Sequence, residues 1–342
     1  MDHRCITFGE IMLRLSPPGF ERFAQASELE LTYGGGEANV AVSLASLGAD
    51  AAFVTTLPAN EIAEKCIRQM RGIGVDVSLI RRSGERMGIY FVETGASQRP
   101  SNVIYDRARS AVAEADPASY DWKAIFEGAT WFHWTGITPA LGERAAAATL
   151  EAVKTAKQMG LTVSCDLNFR KKLWTPEEAN ACMCELVKYV DVCIANEEDA
   201  EKVFGIKAGS TDVTIGHLDH EHYINVARQL IDKFPNLKKV AITLRESISA
   251  SRNGWAALLY ADEMPNFSRR YDITIVDRVG GGDSFAAGLI YGLMAGQGDE
   301  DALNFGVAAS CLKHTIPGDF NLISREEVER LAGGDTSGRV QR

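Results

Sequence analysis

Residues 277–288 read DRVGGGDSFAAG. A β-branched run at 273–276 precedes them, and Phe285, Ala286, Ala287, Leu289 and Ile290 follow, so the spelling predicts strand, glycine turn, helix. Gly280, Gly281 and Gly282 leave backbone N–H groups uncovered at the positive end of the helix dipole, where an anion approaches without meeting a Cβ. The carboxylate of Asp283 stands beside that hole. Such a pairing suits phosphoryl transfer: amides hold the moving group while the acid accepts the proton of an attacking hydroxyl. The same letters also spell an ordinary turn with Asp283 as a helix cap.

Upstream of this turn, strands and helices alternate: WFHWTG from Trp131, an Ala-rich helix, TVSCD at 162–166, a helix from Pro176, VDVCIA at 190–195, a helix near Ala200, another at 223–234, and KVAIT at 239–243. That rhythm predicts a parallel sheet covered by helices on both faces, an α/β fold. Asp166, Asn196, Thr243 and Asp277 then fall at or just past the carboxyl ends of strands, the edge where open parallel sheets bind ligands.

A second glycine turn, GGGEANVA at 34–41, leads into another helix and allows close approach of the backbone to a ligand, with Asn39 able to add a side-chain contact. It also fits a tight strand-to-helix turn. Around it, residues 11–16 and 28–33 alternate apolar with polar, as a strand with one wet face does. Residues 88–93 and 102–106 read as two more strands. These four segments predict a small sheet inserted in the larger domain, a lid formed by about 10–33 and 86–109. Tyr90, Tyr105 and Arg107 lie on it, the last two on one face.

The chain has 342 residues, 46% hydrophobic and 24% charged, the composition of a globular enzyme with a large core, treated as one domain over 1–342. Its net charge of -10 and lack of a basic tract argue against nucleic acid or an anionic membrane as partners. An anionic substrate therefore needs local cations. No apolar run is long enough to span a bilayer, MDHRCITF lacks the apolar stretch of a secretory signal, and seven cysteines without CxxC pairs fit reduced thiols, so the location expected is cytoplasmic. His217, His220 and His222 fit a solvated loop better than a metal cluster, and His133 fits a hydrogen-bonded core position. The last residues, 333–342, read as a frayed tail.

Taken together, DRVGGGDSFAAG, GGGEANVA, DLNFR at 166–170 and NEED at 196–199 resemble the ribokinase-like carbohydrate kinases, from Ile6 to about Ile323. Tyr90, Tyr105 and Arg107, with Gly318-Asp319, look like the branch acting on 2-keto-3-deoxygluconate. The resemblance implies ATP as donor, a terminal hydroxyl of a sugar acid as acceptor, Asp283 as base and the amides of residues 280–283 as anion hole. It implies that Gly34, Gly35 and Asn39 hold sugar hydroxyls and that Tyr90, Tyr105, Arg107, Arg170 and Asp319 surround the rest of the substrate. It puts Asn196, Thr243, Arg245 and Gly318 near the nucleotide, Asn304 near adenine, and Asp199 near the water shell of Mg²⁺. Monovalent-cation activation is common in the family, although no residue here is assigned to it. Pairing of lid strands implies a homo-oligomer.

This chain departs from the family pattern at three places: Arg278 stands where Thr is usual, Asp199 where Glu is usual, and TLRES at 243–247 replaces T-L-G-x-x-G, so Arg245 occupies a glycine position. Related kinases of fructose, ribose or another keto-deoxy acid are the nearest alternatives, followed by a non-catalytic sugar sensor. Neither glycine turn spells the dinucleotide fingerprint G-x-G-x-x-G, and no P-loop is present.

Overall fold

The computed structural model describes residues 3–207 and 220–338. In chain order the strands are β1 (Arg4–Phe8), β2 (Met12–Ser16), β3 (Glu30–Gly34), β4 (Asp50–Leu57), β5 (Ile80–Arg82), β6 (Gly88–Glu93), β7 (Asn102–Asp106), β8 (Trp131–Thr135), β9 (Thr162–Asp166), β10 (Val192–Ala195), β11 (Lys239–Ser247), β12 (Arg252–Ala261), β13 (Met264–Phe267) and β14 (Tyr271–Thr274). Ten of them form one sheet in the order β13-β12-β11-β10-β9-β8-β1-β4-β5, with β14 also on β12. From β5 to β11 every pairing is parallel, whereas β12 pairs antiparallel with β11, β13 and β14. The fold is thus α/β with a large mixed sheet flanked by helices, and its parallel part follows the predicted rhythm.

The central strands are apolar on both faces because helices cover both. Phe8, Phe132 and Trp134 belong to one buried cluster, while Leu289, Ile290 and Val307, from the helices Gly281–Met294 and Asp299–Lys313, belong to another. His133 is fully buried in β8, its Nδ1 2.9 Å from the Ser164 hydroxyl, and burial holds it down at about 3 and hence neutral. All seven cysteines are unpaired.

The remaining strands make a separate four-stranded sheet, β3-β2-β6-β7, with β2 and β6 parallel and the outer pairings antiparallel. Its alternation follows the sequence, but one inference from it needs correction. The polar side of β2 does not meet water: Arg14 is 3% and Ser16 6% exposed, and Arg14 Nε donates to Ser16 Oγ at 2.9 Å. The polar face is buried because it looks onto the rim of the large sheet, where carboxylates await it. His217 lies outside the described residues, as do residues 339–342 of the expected frayed tail; His220 stacks on Phe267 with ring centroids 4.0 Å apart. Among the described residues no helix is long and apolar enough to cross a membrane.

Candidate active site

A cleft of about 620 Å³ lies at the carboxyl ends of the parallel strands and reaches under the small sheet. It contains the glycine turn at 280–282. The helix Gly281–Met294 starts from Gly280, whose φ of 84° and whose absent Cβ, which would meet Asp319 O at 2.3 Å, both demand glycine. First-turn amides of an α-helix have no intrahelical acceptor. Gly281 N–H turns back to Arg278 O at 3.3 Å, and Gly282 faces open space. The amides of Gly282 and Asp283 are therefore free, on helix geometry, to meet an anion.

Asp283 follows within that first turn. Asn39 Nδ2 donates to its Oδ2 at 2.7 Å, tying the two glycine turns together. Burial raises its carboxyl to about 6, against the Asn39 hydrogen bond, which lowers it. Next to it, on the first helical turn after Gly36, Glu37 is fully buried; one of its oxygens accepts from Thr135 N–H, Thr135 Oγ1 and Thr138 Oγ1. Burial pushes this group up to about 7 despite those bonds. It fixes the loop after β8 beneath Asp283.

At the small-sheet end the charges are paired. Arg14 Nη2 donates to Asp277 at 2.6 Å and its Nη1 to Asp319 at 2.8 Å, and Tyr90 Oη donates to the other oxygen of Asp319 at 2.5 Å. Burial opposes the charge on Arg14, but Asp319 and Asp277 outweigh it and hold it protonated. Arg107 Nε donates to Glu10 Oε2 at 2.8 Å, its Nη2 bonds to the same oxygen, and its guanidinium lies over the Tyr105 ring. Tyr90 and Tyr105 stand opposite each other across β6 and β7 and stack, ring centroids 6.1 Å apart.

Along the strand ends, Asn196 and Asp199 form a capping box at the start of the helix Glu197–Phe204. Asn168 adopts a left-handed φ of 39°, and the next residue, Phe169, donates its N–H to Asp199 Oδ1 at 3.0 Å. Burial raises Asp199 to about 6 and Asp166 well above the usual range, the latter helped by Asp199 and Asp283, while Arg170 works against both shifts. Beyond them Thr243, Arg245, Trp255, Arg278 and His314 line the far end. His314 Nδ1 meets Ser310 O at 2.7 Å, and burial holds its ring at about 4, hence neutral. Lys313, fully buried behind the glycine turn, donates to Ile316 O at 3.0 Å.

Most of the residues singled out by sequence reach this cleft: Gly34, Gly35, Asn39, Tyr90, Tyr105, Arg107, Arg170, Asn196, Asp199, Thr243, Arg245, Gly280, Gly282, Asp283 and Asp319. Four do not line it. Gly281 is buried against His314, whose ring a Cβ would strike at 2.5 Å. Gly318 turns its N–H to Asp277 at 3.0 Å, and Asp277 itself is taken by Arg14 rather than offered to a ligand. Asn304, expected near adenine, lines a separate depression with Phe267 and Arg269, and its side-chain oxygen accepts from Arg269 N–H at 2.9 Å. Sequence reasoning missed Glu10, Arg14, Glu37, Trp255 and His314. Glu10 and Arg14 were visible only as charged residues within an apolar N-terminal segment.

For a metal, no group of three or more His, Cys, Asp or Glu converges among the described residues, which excludes an all-protein cage there. The donor set does fit a cation arriving with its own water and phosphate oxygens, as Mg²⁺ usually does. Burial, and then the charge of Asp199, raises Asp166, and a cation shared by the two would oppose both effects.

Free amides at a helix head, a half-buried acid beside them and a covered pocket on one side are the parts phosphoryl transfer needs, and the chain belongs to the pfkB family of carbohydrate kinases, whose family model matches residues 2–323. Among solved structures it is similar to the 2-dehydro-3-deoxygluconokinase of Thermotoga maritima, at 52% identity and a TM-score of 0.92 over 97% of this chain and 98% of that one. It is 36% identical to the 2-dehydro-3-deoxygalactonokinase of Haloferax volcanii over 98% of both chains, and 27% identical to the 2-dehydro-3-deoxygluconokinase of Bacillus subtilis over 94% of this chain and 93% of that one.

Proposed function

We propose that this kinase transfers the terminal phosphoryl group of ATP to the terminal hydroxyl of 2-keto-3-deoxygluconate, giving 2-keto-3-deoxy-6-phosphogluconate and ADP. The observation that carries the chemistry is Asp283, placed at the head of a helix with open amide space beside it and held by Asn39. The substrate class rests on the names of the similar kinases.

The bond between the sugar oxygen and phosphorus forms as the bond from phosphorus to the bridging oxygen breaks, with the electron pair leaving on ADP. The hydroxyl proton passes to Asp283, whose Oδ2 is engaged by Asn39 while Oδ1 lies toward Gly36. A carboxyl near about 6 is a better match to neutral pH than an ordinary aspartate. The amides of Gly282 and Asp283 hold the phosphoryl group in flight. Mg²⁺, held near Asp166 and Asp199 through water, would supply charge neutralisation on the donor phosphates. Gly34, Gly35 and Asn39 contact sugar hydroxyls, and Tyr90, Tyr105, Arg107, Arg170 and Asp319 enclose the acid end. The small sheet acts as the lid that keeps water from the donor.

A second reading, the galactonate-derived epimer as substrate, is favoured by the Haloferax relative. A coupled ADP-release assay over both epimers, fructose and ribose decides: turnover of a keto-deoxy acid well above that of fructose and ribose is expected. Preference for a neutral sugar, or binding without turnover, sinks the proposal. Phe20 and Ile104, exposed by 54% and 49% around the small sheet, support a homo-oligomer formed through it, which sedimentation as a monomer alone would refute. The seven unpaired cysteines favour a reducing, cytoplasmic setting.

A further inference from the structure

Two of the departures from the family pattern meet at one wall of the cleft. β11 runs on past the sheet edge to Ser247, which places Arg245 opposite Trp255 on β12. Arg278, between β14 and the glycine turn, donates from Nη2 to Ala250 O at 3.0 Å. Both arginines line the cavity that contains Gly280, Gly282 and His314. Among the described residues neither forms an ion pair with a carboxylate within 4.0 Å, and the exposed side chain of Arg245 has no hydrogen-bond partner. Burial, and then Arg245, pushes the Arg278 guanidinium below its ordinary range, against a weaker pull from Asp277, so the two arginines oppose each other's charge. His314 brings no counter-charge, since its ring is neutral.

In a protein of net charge -10, two arginines within electrostatic reach of each other, both lining the cavity at a helix N-terminus, make a local positive site that suits an anion. Guanidinium matches phosphate through paired hydrogen bonds, and two of them suit a ligand with more than one phosphate. We propose that Arg245 and Arg278 together form the receptor for the terminal phosphates of the donor nucleotide, so that this chain ranks nucleotides by how many phosphates they carry. The proposal rests on the kinase reading above and adds the residues that select the donor.

Trp255 lines the same cavity and serves as a fluorescence reporter that needs neither sugar acid nor turnover. ATP, ADP and adenosine are titrated into the wild type, Arg245→Met, Arg278→Met and the corresponding lysine variants, with calorimetry as a second measure and thermal melts to confirm folding. Each methionine variant is expected to bind ATP about tenfold or more weakly, ADP less affected and adenosine unchanged, with lysine restoring part of the loss. Unchanged ATP affinity in both methionine variants, or equal weakening of ATP and adenosine, overturns the proposal. A wild type that binds ATP with this variant pattern but consumes no sugar acid sinks the substrate assignment and leaves the receptor standing.

Discussion

At the small-sheet end of the cleft, Arg14 and Arg107 are neutralised by carboxylates of the chain itself, Asp277, Asp319 and Glu10. At the opposite end, Arg245 and Arg278 form no ion pair among the described residues, although both open on the same cavity. Buried ion pairs contribute little net stability but are costly to break, because a lone charge remains behind. The first end is therefore a rigid frame whose groups are aligned before a ligand arrives, and the second a receptor whose charge is completed by its ligand. A polyol acid is recognised by the placement of fixed donors and acceptors, whereas a polyphosphate is recognised by charge.

The largest expected effect lies where the two ends meet. Asp283→Asn should lower kcat by at least about a hundredfold while ATP affinity, read by fluorescence, stays within about twofold. Near-normal turnover would remove Asp283 from the base role and, with it, the junction between the halves. Next comes stability. Arg14→Met strands two buried carboxylates and should cost about 3 kcal/mol or more in denaturant unfolding, against less than about 0.5 kcal/mol for Arg245→Met. Equal losses in the two variants would erase the contrast.

A smaller effect sharpens the framed end. Arg107→Ala should raise KM for the sugar acid about tenfold and leave KM for ATP within about twofold. An equal rise in both would assign Arg107, through its pair with Glu10, to folding alone. The smallest is in pH. Asp283 must be ionised to accept a proton, and its carboxyl is raised to about 6, so kcat/KM should fall about fourfold from pH 7 to pH 5.5. A rate independent of pH over that range would mean that the proton goes elsewhere.

Much of this molecule was legible before its structure was known, because its logic is local. β6 and β7 coincide with the strands read at 88–93 and 102–106, and β9 with TVSCD. The glycine turns announce themselves because only glycine tolerates the φ at Gly280, or the approach of Asp319 to within 1.9 Å of a Cβ built at Gly34. The antiparallel edge of β12 and β13 went unread, since strands joined without a helix leave no mark on a βαβ rhythm. What could not be read was partnership at a distance. Arg14 meets residues 263 and 305 positions away, and nothing in MLRLS says whether its polar side faces water or carboxylates. For the same reason Asn304, plausible by position, went to Arg269 instead.

A single guanidinium from β2 grips Asp277, just before the glycine turn, and Asp319, whose carbonyl presses on Gly280. The small sheet is in effect bolted at its root to the floor of the proposed phosphoryl site and cannot swing there as a loose flap. Any closing movement must bend farther out, toward β7, the strand left exposed along most of its length. Entry and exit of the sugar acid would then be a matter of the outer strands flexing, while the seat of the reaction stays still.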